Sequence, residues 1–367
     1  MKELHLNKQE LFGFLIGIMG TTALYAILDN MTGILKYVIL LSSSSCLLFV
    51  GRKNKWSLES VVLISLPSFI YVLLGLFSAL INASPQISTI KIVLYWITPL
   101  IFSFSLYVCF TKKMNKIVDI QFIGSILAYA FFDAPHLIKV FRWESVYAFT
   151  FGIFSIYYSH KKRWIPFIIS LAFVIFAEKR IVLAAVAATL FVMMFVWLFK
   201  QNKKIAFGIW ICVIGMIYVY LYMIYSGFLE NFVWAANINT NGRAEIYSRM
   251  ANEYSFSLGF MGAGIGTVED LLEKWNMSSF SNLHNDLLKF YIELGFTGLL
   301  LFLFSNGIIL YFIEKRFGKT QMSYFIGMII YTVILWATDN VSIYMLYLIP
   351  FYSTFFAVLS QKYETEG

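Results

Sequence analysis

The feature that most constrains this chain is a succession of apolar runs, several of which reach the roughly 18 residues a helix needs to cross the hydrocarbon core of a bilayer. In hydrocarbon every backbone N–H and C=O must find an internal partner, so runs of this length without polar alternation fold as helices. Candidate spans fall at roughly 11–28, 33–50, 60–80, 92–110, 117–132, 146–159, 165–178, 181–199, 205–226, 286–312, 322–338 and 341–360. With 60% hydrophobic and 13% charged residues, the chain lies outside the range of soluble domains. The expected fold is an all-α polytopic membrane protein of about 12 transmembrane helices, built as a single integral membrane domain over residues 1–367.

The net charge of +8 does not signal nucleic acid, because Lys and Arg sit in short clusters between the apolar runs. Arg52-Lys53-Lys55, Lys112-Lys113-Lys116, Lys161-Lys162-Arg163, Lys200-Lys203-Lys204 and Lys315-Arg316-Lys319 all fall on one side of the expected bilayer, together with Lys2 and Lys8. Under the positive-inside rule, that side is the cytoplasm and both termini lie there. The segment MKELHLNKQE precedes the first span with no small-residue cleavage site, so that span is expected to be an uncleaved anchor. Cys46, Cys109 and Cys212 all lie within apolar runs without metal-ligand spacing, and they are expected to pack as small buried hydrophobes.

One long stretch is not membrane-grade. Between expected helices nine and ten, residues 227–285 form a large outward loop with three basic residues (Arg243, Arg249, Lys274) against six acidic ones. It contains N241-G-R-A-E-I-Y-S-R249, a glycine cluster G259-F-M-G-A-G-I-G266 and the start of H284-N-D-L-L-K-F-Y-I-E-L-G-F-T-G298. Elsewhere the ionisable residues collect at the outer ends of the spans: Lys36, Lys91, Asp133, Lys139, Arg142, Lys179, Arg180 and Asp339. An ion-coupled transporter would place some of these at mid-membrane, so the chemistry is expected at the outer face.

Within this set His284 is the candidate base, since an imidazole titrates near neutrality and can take a proton from a sugar hydroxyl. It is expected at the start of helix ten, with Asn282 as the cap and with Leu288 and Tyr291 on its face. The alternative is an interfacial histidine that binds only a headgroup or a backbone carbonyl. Arg243 opens an expected loop helix and suits bidentate phosphate recognition. Arg249 has the simpler explanation of pairing with Glu245 or Glu253. Glu178-Lys179-Arg180 places three charges between two apolar runs. Either Arg180, with Lys179, faces a polar cavity and meets a diphosphate, or Glu178 and Lys179 neutralise one another at the interface. The glycine cluster precedes an acidic helix, T267-V-E-D-L-L-E-K, and is expected to be a tight turn more than a phosphate cradle. Asp133, His136, Arg142 and Asp339 are further outward polar residues.

Together the NGR turn, G262-A-G-I-G266, the HND…ELGxxG segment and E178-K-R-I-V-L-A-A185 resemble the O-antigen ligase and polymerase superfamily, bacterial membrane glycosyltransferases of the Wzy and WaaL types. The resemblance implies a GT-C-like architecture with an extracytoplasmic catalytic loop over 227–285. It further implies a cofactor-free, metal-independent, inverting transfer of an undecaprenyl-diphosphate-linked oligosaccharide. By the same resemblance, His284 would be the general base, and Arg180 and Arg243 would hold the donor diphosphate. Lys179, Arg249, Asn285, Tyr291 and Asp339 are the expected substrate contacts. Expected partners are the lipid-linked donor and acceptor and the bilayer, with chain-length regulator and flippase proteins as further candidates. The chain departs from the family pattern in Lys179, which precedes Arg180, and in Tyr247, where Trp is common. The close HND…ELGxxG form and the compact size resemble a polymerase of O-antigen or capsule more than a ligase acting on lipid A-core.

Overall fold

The computed structural model describes residues 34–52, 54–82, 86–134, 144–237, 242–275 and 282–360, with isolated positions 12, 13 and 15. Nearly all of the first expected span lies outside these residues, as do His136, Lys139, Arg142 and Asn241. The described residues form helices α1 (Ile34–Gly51), α2 (Leu58–Asn82), α3 (Gln86–Phe110), α4 (Met114–Ala128), α5 (Tyr147–His160), α6 (Trp164–Phe176), α7 (Arg180–Leu198) and α8 (Lys203–Tyr225). Three short helices follow, α9 (Phe228–Ala235), α10 (Arg243–Met250) and α11 (Thr267–Lys274), and then α12 (Asp286–Phe317), α13 (Lys319–Trp336) and α14 (Met345–Leu359). Every expected span from 33–50 onward coincides with one of these helices, and no strand occurs among the described residues. Among the described residues, five segments are long and apolar enough to cross a membrane: Leu58–Asn82, Ser88–Phe131, Arg180–Leu198, Lys203–Tyr225 and Asp286–Phe317. The chain is an all-α multi-pass membrane protein.

The helices gather into two compact units, each discontinuous in sequence. The first comprises residues 1–65, 95–193 and 344–367. Its centre is α5, whose sequence YAFTFGIFSIYYSH is apolar nearly all round and is buried accordingly. Helix α14 packs on α4 and α5. Pro350 in α14 lacks an N–H and so leaves the carbonyl of Leu346 without its helical donor. The Thr150 hydroxyl on α5 donates to that carbonyl at 2.8 Å, which removes the cost of an unpaired backbone group in an apolar setting. At the other end of α5, Tyr158 and Arg163 both donate to Asp119 of α4, at 3.0 and 2.6 Å.

The second unit comprises residues 66–94 and 194–343. Helix α12 runs through it against α8 and α13 and is broken at Gly295, which has φ 74° and ψ −178°. The loop over 227–285 belongs wholly to this unit. In it α10 buries Ala244, Ile246, Tyr247 and Met250, and α11 buries Val268 and Leu272. The bounds of α10 and α11 follow the NGR and TVEDLLEK segments as the sequence suggests. One expectation about packing is corrected: Cys109 is buried, but Cys46 and Cys212 are exposed.

Candidate active site

The glycine cluster is a structural turn that docks onto the break in α12. Because Gly295 is not helical, the carbonyls of Ile292 and Glu293 lose their helical donors and the Phe296 N–H loses its acceptor. The loop supplies all three: Ala263 N–H bonds Ile292 O at 2.7 Å, Gly264 N–H bonds Glu293 O at 3.2 Å, and Phe296 N–H bonds Phe260 O at 3.0 Å. The two backbones approach so closely that a Cβ on Gly262 would stand 2.4 Å from Glu293 O, and one on Gly295 would stand 2.3 Å from Phe260 O. The spacing of GxGxG and ELG in the sequence is thus the imprint of one backbone-to-backbone contact.

A buried ionic cluster fastens the same turn from beneath. The Lys289 ammonium bonds Glu269 of α11 and lies 4.0 Å from Glu293. The Glu293 carboxylate accepts from the Gly266 N–H and from the Tyr71 hydroxyl, both at 2.8 Å. The sequence reading did not single out Lys289 and Glu293 among the ionisable residues. The i,i+4 Lys–Glu pair inside an apolar run was the available signal. Removing one partner from such a cluster strands a buried charge at a cost of about 3–5 kcal/mol.

His284 sits immediately before α12 and not within it. Asn285 is the helix cap, its side chain accepting from Leu288 N–H at 3.0 Å, where Asn282 was expected to serve. His284 has φ 53°, a left-handed conformation that is sparsely populated for a residue bearing a side chain. Its helical spacing to Leu288 and Tyr291 therefore has no meaning, which corrects the expected shared face. Three contacts hold the conformation. Tyr247 donates its hydroxyl to the His284 carbonyl at 2.8 Å, Asn285 caps the next turn, and the imidazole Nδ1 faces Asp339 Oδ1 at 3.4 Å. Burial pushes the Tyr247 phenol well above its ordinary range, which keeps it protonated as a donor. A neutral ring that donates Nδ1–H to this carboxylate has its lone pair on Nε2. The imidazole is about 29% exposed and its partner Asp339 only 3%, so the base is reachable and the carboxylate is shielded.

The turn after α13 gathers the rest. The last carbonyls of a helix lack internal partners, and here side chains from other elements satisfy them. Tyr220 of α8 donates to Ala337 O at 2.8 Å, and Arg243 Nη1 donates to Thr338 O at 3.0 Å. Arg243 thereby places its cation at the negative end of α13, and its planar fork has further N–H donors. The Asp286 N–H bonds Asp339 O at 3.3 Å, and its carboxylate accepts from Ser342 N–H and Oγ at 2.8 and 2.6 Å. Residues 338–339 are therefore the meeting point of His284 and Arg243, the one next to Asp339 and the other to Thr338. Tyr220 also accepts from Asn285 Nδ2 at 2.8 Å, and the sequence reading had not singled it out.

The remaining expected site residues are placed otherwise. Asn285 is buried and occupied as cap and donor, and Asp339 is a partner of the base. Tyr291 is fully buried among Tyr254, Phe256, Phe260 and Phe296, with its hydroxyl on Ser255 O at 3.1 Å, so it packs the loop and presents no contact surface. Arg249 lies 4.4 Å over the Trp275 ring and does not pair with Glu245 or Glu253. In the first unit, Glu178 ends α6 in a left-handed conformation (φ 49°), the Lys179 ammonium stands 4.3 Å from the Phe149 ring centroid, and Arg180 opens α7. Glu178 and Arg180 are exposed. Asp133 of the same unit accepts from the Ser145 hydroxyl.

If Asp339 positions the imidazole, Asp339→Asn lowers kcat by about 10- to 100-fold with little change in KM. Asp339→Glu restores part of that loss. A merely structural carboxylate would change stability with neither the kcat-specific loss nor the rescue. Steady-state kinetics on the two variants make the distinction.

Fold and site define a multi-pass helical membrane protein with a supported imidazole beside an arginine. Residues 165–303 match the family model described as O-antigen ligase, a stretch that takes in Arg180, Arg243 and His284. That stretch is similar to the O-antigen ligase family, whose members are membrane glycosyltransferase-like enzymes, and the match supports the resemblance to the ligase and polymerase superfamily. No curated protein matches the chain.

Proposed function

We propose that this protein is a surface-polysaccharide polymerase, of O-antigen or capsule, acting at the outer face of the cytoplasmic membrane with both termini inside. The observation that carries the reading is the convergence of His284 and Arg243 on Thr338–Asp339. His284 Nε2 takes the proton of an acceptor sugar hydroxyl on a lipid-linked repeat unit. That oxygen bonds the anomeric carbon of the donor glycan from the face opposite the leaving group, and the bond from that carbon to the undecaprenyl diphosphate breaks with inversion. Arg243 offsets the negative charge that grows on the diphosphate. Arg180, exposed at the opening of α7 and matching the helix-opening arginine of the family pattern, is carried over by that resemblance as a diphosphate-binding cation, with Lys179 as an auxiliary cation. Chain-length regulators and flippases are the partners this role requires.

The matched family's description as O-antigen ligase favours a second reading, a ligase that moves finished glycan to lipid A-core. A strain deleted for this gene, complemented with wild type or with variants of these residues, separates the two on a surface-polysaccharide gel. A polymerase mutant keeps single repeat units on the final acceptor and loses the long-chain ladder. A ligase mutant loses all attached glycan and accumulates polymer on the lipid carrier.

A further inference from the structure

At the far end of the second unit from His284, α8 and α12 enclose a groove of about 510 Å³ lined by Lys203, Lys204, Phe207, Gly307, Tyr311 and Phe312, among others. Its floor exists because residue 307 is glycine: a Cβ there would stand 3.1 Å from Trp210 Cδ1 and 3.2 Å from Phe207 Cε2. The wall is apolar, and both lysines stand at the rim. Lys203 lies 3.5 Å from Glu314 and 5.0 Å from the Tyr311 ring, while Lys204 is exposed. Lys315 and Arg316 follow directly on α12 and are exposed as well. Gly307 lies 12 residues beyond the break at Gly295, which at 1.5 Å per residue is about 18 Å further along α12, away from His284.

The geometry points to a binding site for an anionic diacyl phospholipid, with an acyl chain in the groove and the phosphate between the rim lysines. A sugar or nucleotide would leave its polar groups unpaired against the apolar wall. A neutral lipid would fill the wall but leave the cationic rim unmatched. Each lysine near an anionic headgroup strengthens attraction severalfold, so the pair gives at least a tenfold preference.

The test uses the full chain, delipidated in detergent and titrated with dioleoylphosphatidylglycerol or dioleoylphosphatidylcholine. Native mass spectrometry and thermal unfolding read the binding. Expected is at least tenfold tighter binding of the anionic lipid, with a higher Tm. In Lys203→Gln/Lys204→Gln that preference collapses to near parity, while Gly307→Leu, which fills the floor, weakens both lipids. Equal affinity for the two lipids in wild type, or an unchanged preference in the lysine variant, would overturn the site. Should Gly307→Leu fail to fold, the lysine variant decides alone, because both altered side chains are exposed.

Discussion

His284→Ala is expected to lower glycan transfer by about a thousandfold, within the 10²- to 10⁴-fold range that a positioned base contributes. The protein should still fold and still bind donor, since the imidazole makes one long polar contact and is partly exposed. A companion substitution separates chemistry from stability. His284 holds a left-handed conformation that glycine adopts without steric cost, so His284→Gly should be as inactive as the alanine variant. Its stability should stay within about 1 kcal/mol of wild type, because relief of strain offsets the entropy that glycine adds to the unfolded chain. Denaturation of the detergent-solubilised protein, run beside a transfer assay, checks both halves. Loss of activity that tracked loss of stability across the two variants would assign His284 a structural role.

Gly295→Ala is expected to cost on the order of 3 kcal/mol or more. Residue 295 has φ 74°, and the added methyl would stand 2.3 Å from Phe260 O and 2.4 Å from Gly262 N. Both are backbone atoms of the docked loop, so no side-chain rotation relieves the clash. The loop must leave α12, and with it go the bonds that Ala263 and Gly264 donate and the one that Phe260 O accepts from Phe296 N–H. Gly208 and Gly215 provide the control, since nothing lies within 4 Å of a Cβ at either position. Alanine there should be neutral or slightly stabilising through its greater helix propensity. Protease sensitivity of the loop and the thermal midpoint report the difference. A Gly295→Ala protein with wild-type loop protection would remove the proposed reason for the ELG and GxGxG motifs.

How far the molecule can be read from its sequence varies with the kind of interaction. The spans were legible because apolar length is a property of each run alone. The loop helices were legible too: Gly242 and Gly266 precede α10 and α11 as punctuation, and each short apolar face follows at once. The pairing of His284 with Asp339 joins residues 55 positions apart, and no local pattern announces it. Asp339 was singled out as an outward acid, but its place behind the imidazole depends on how α13 ends. Tyr291 was misjudged for the same reason: it follows a histidine at helical spacing, yet the helix begins after His284, so the spacing carries no geometry. The ionic cluster around Lys289 was hidden because its third member, Glu269, comes from the loop, and only docking brings it beneath the span.

The most direct measurement places purified protein in liposomes with a chemically defined undecaprenyl-diphosphate-linked repeat unit. It follows released undecaprenyl diphosphate and growing glycan together. Wild type should release one diphosphate for each bond formed, and His284→Ala and Arg243→Ala should lose both signals in parallel, by about 10²-fold or more. Polymer growth at the wild-type rate in His284→Ala, in protein that remains folded, would contradict the assignment of the base.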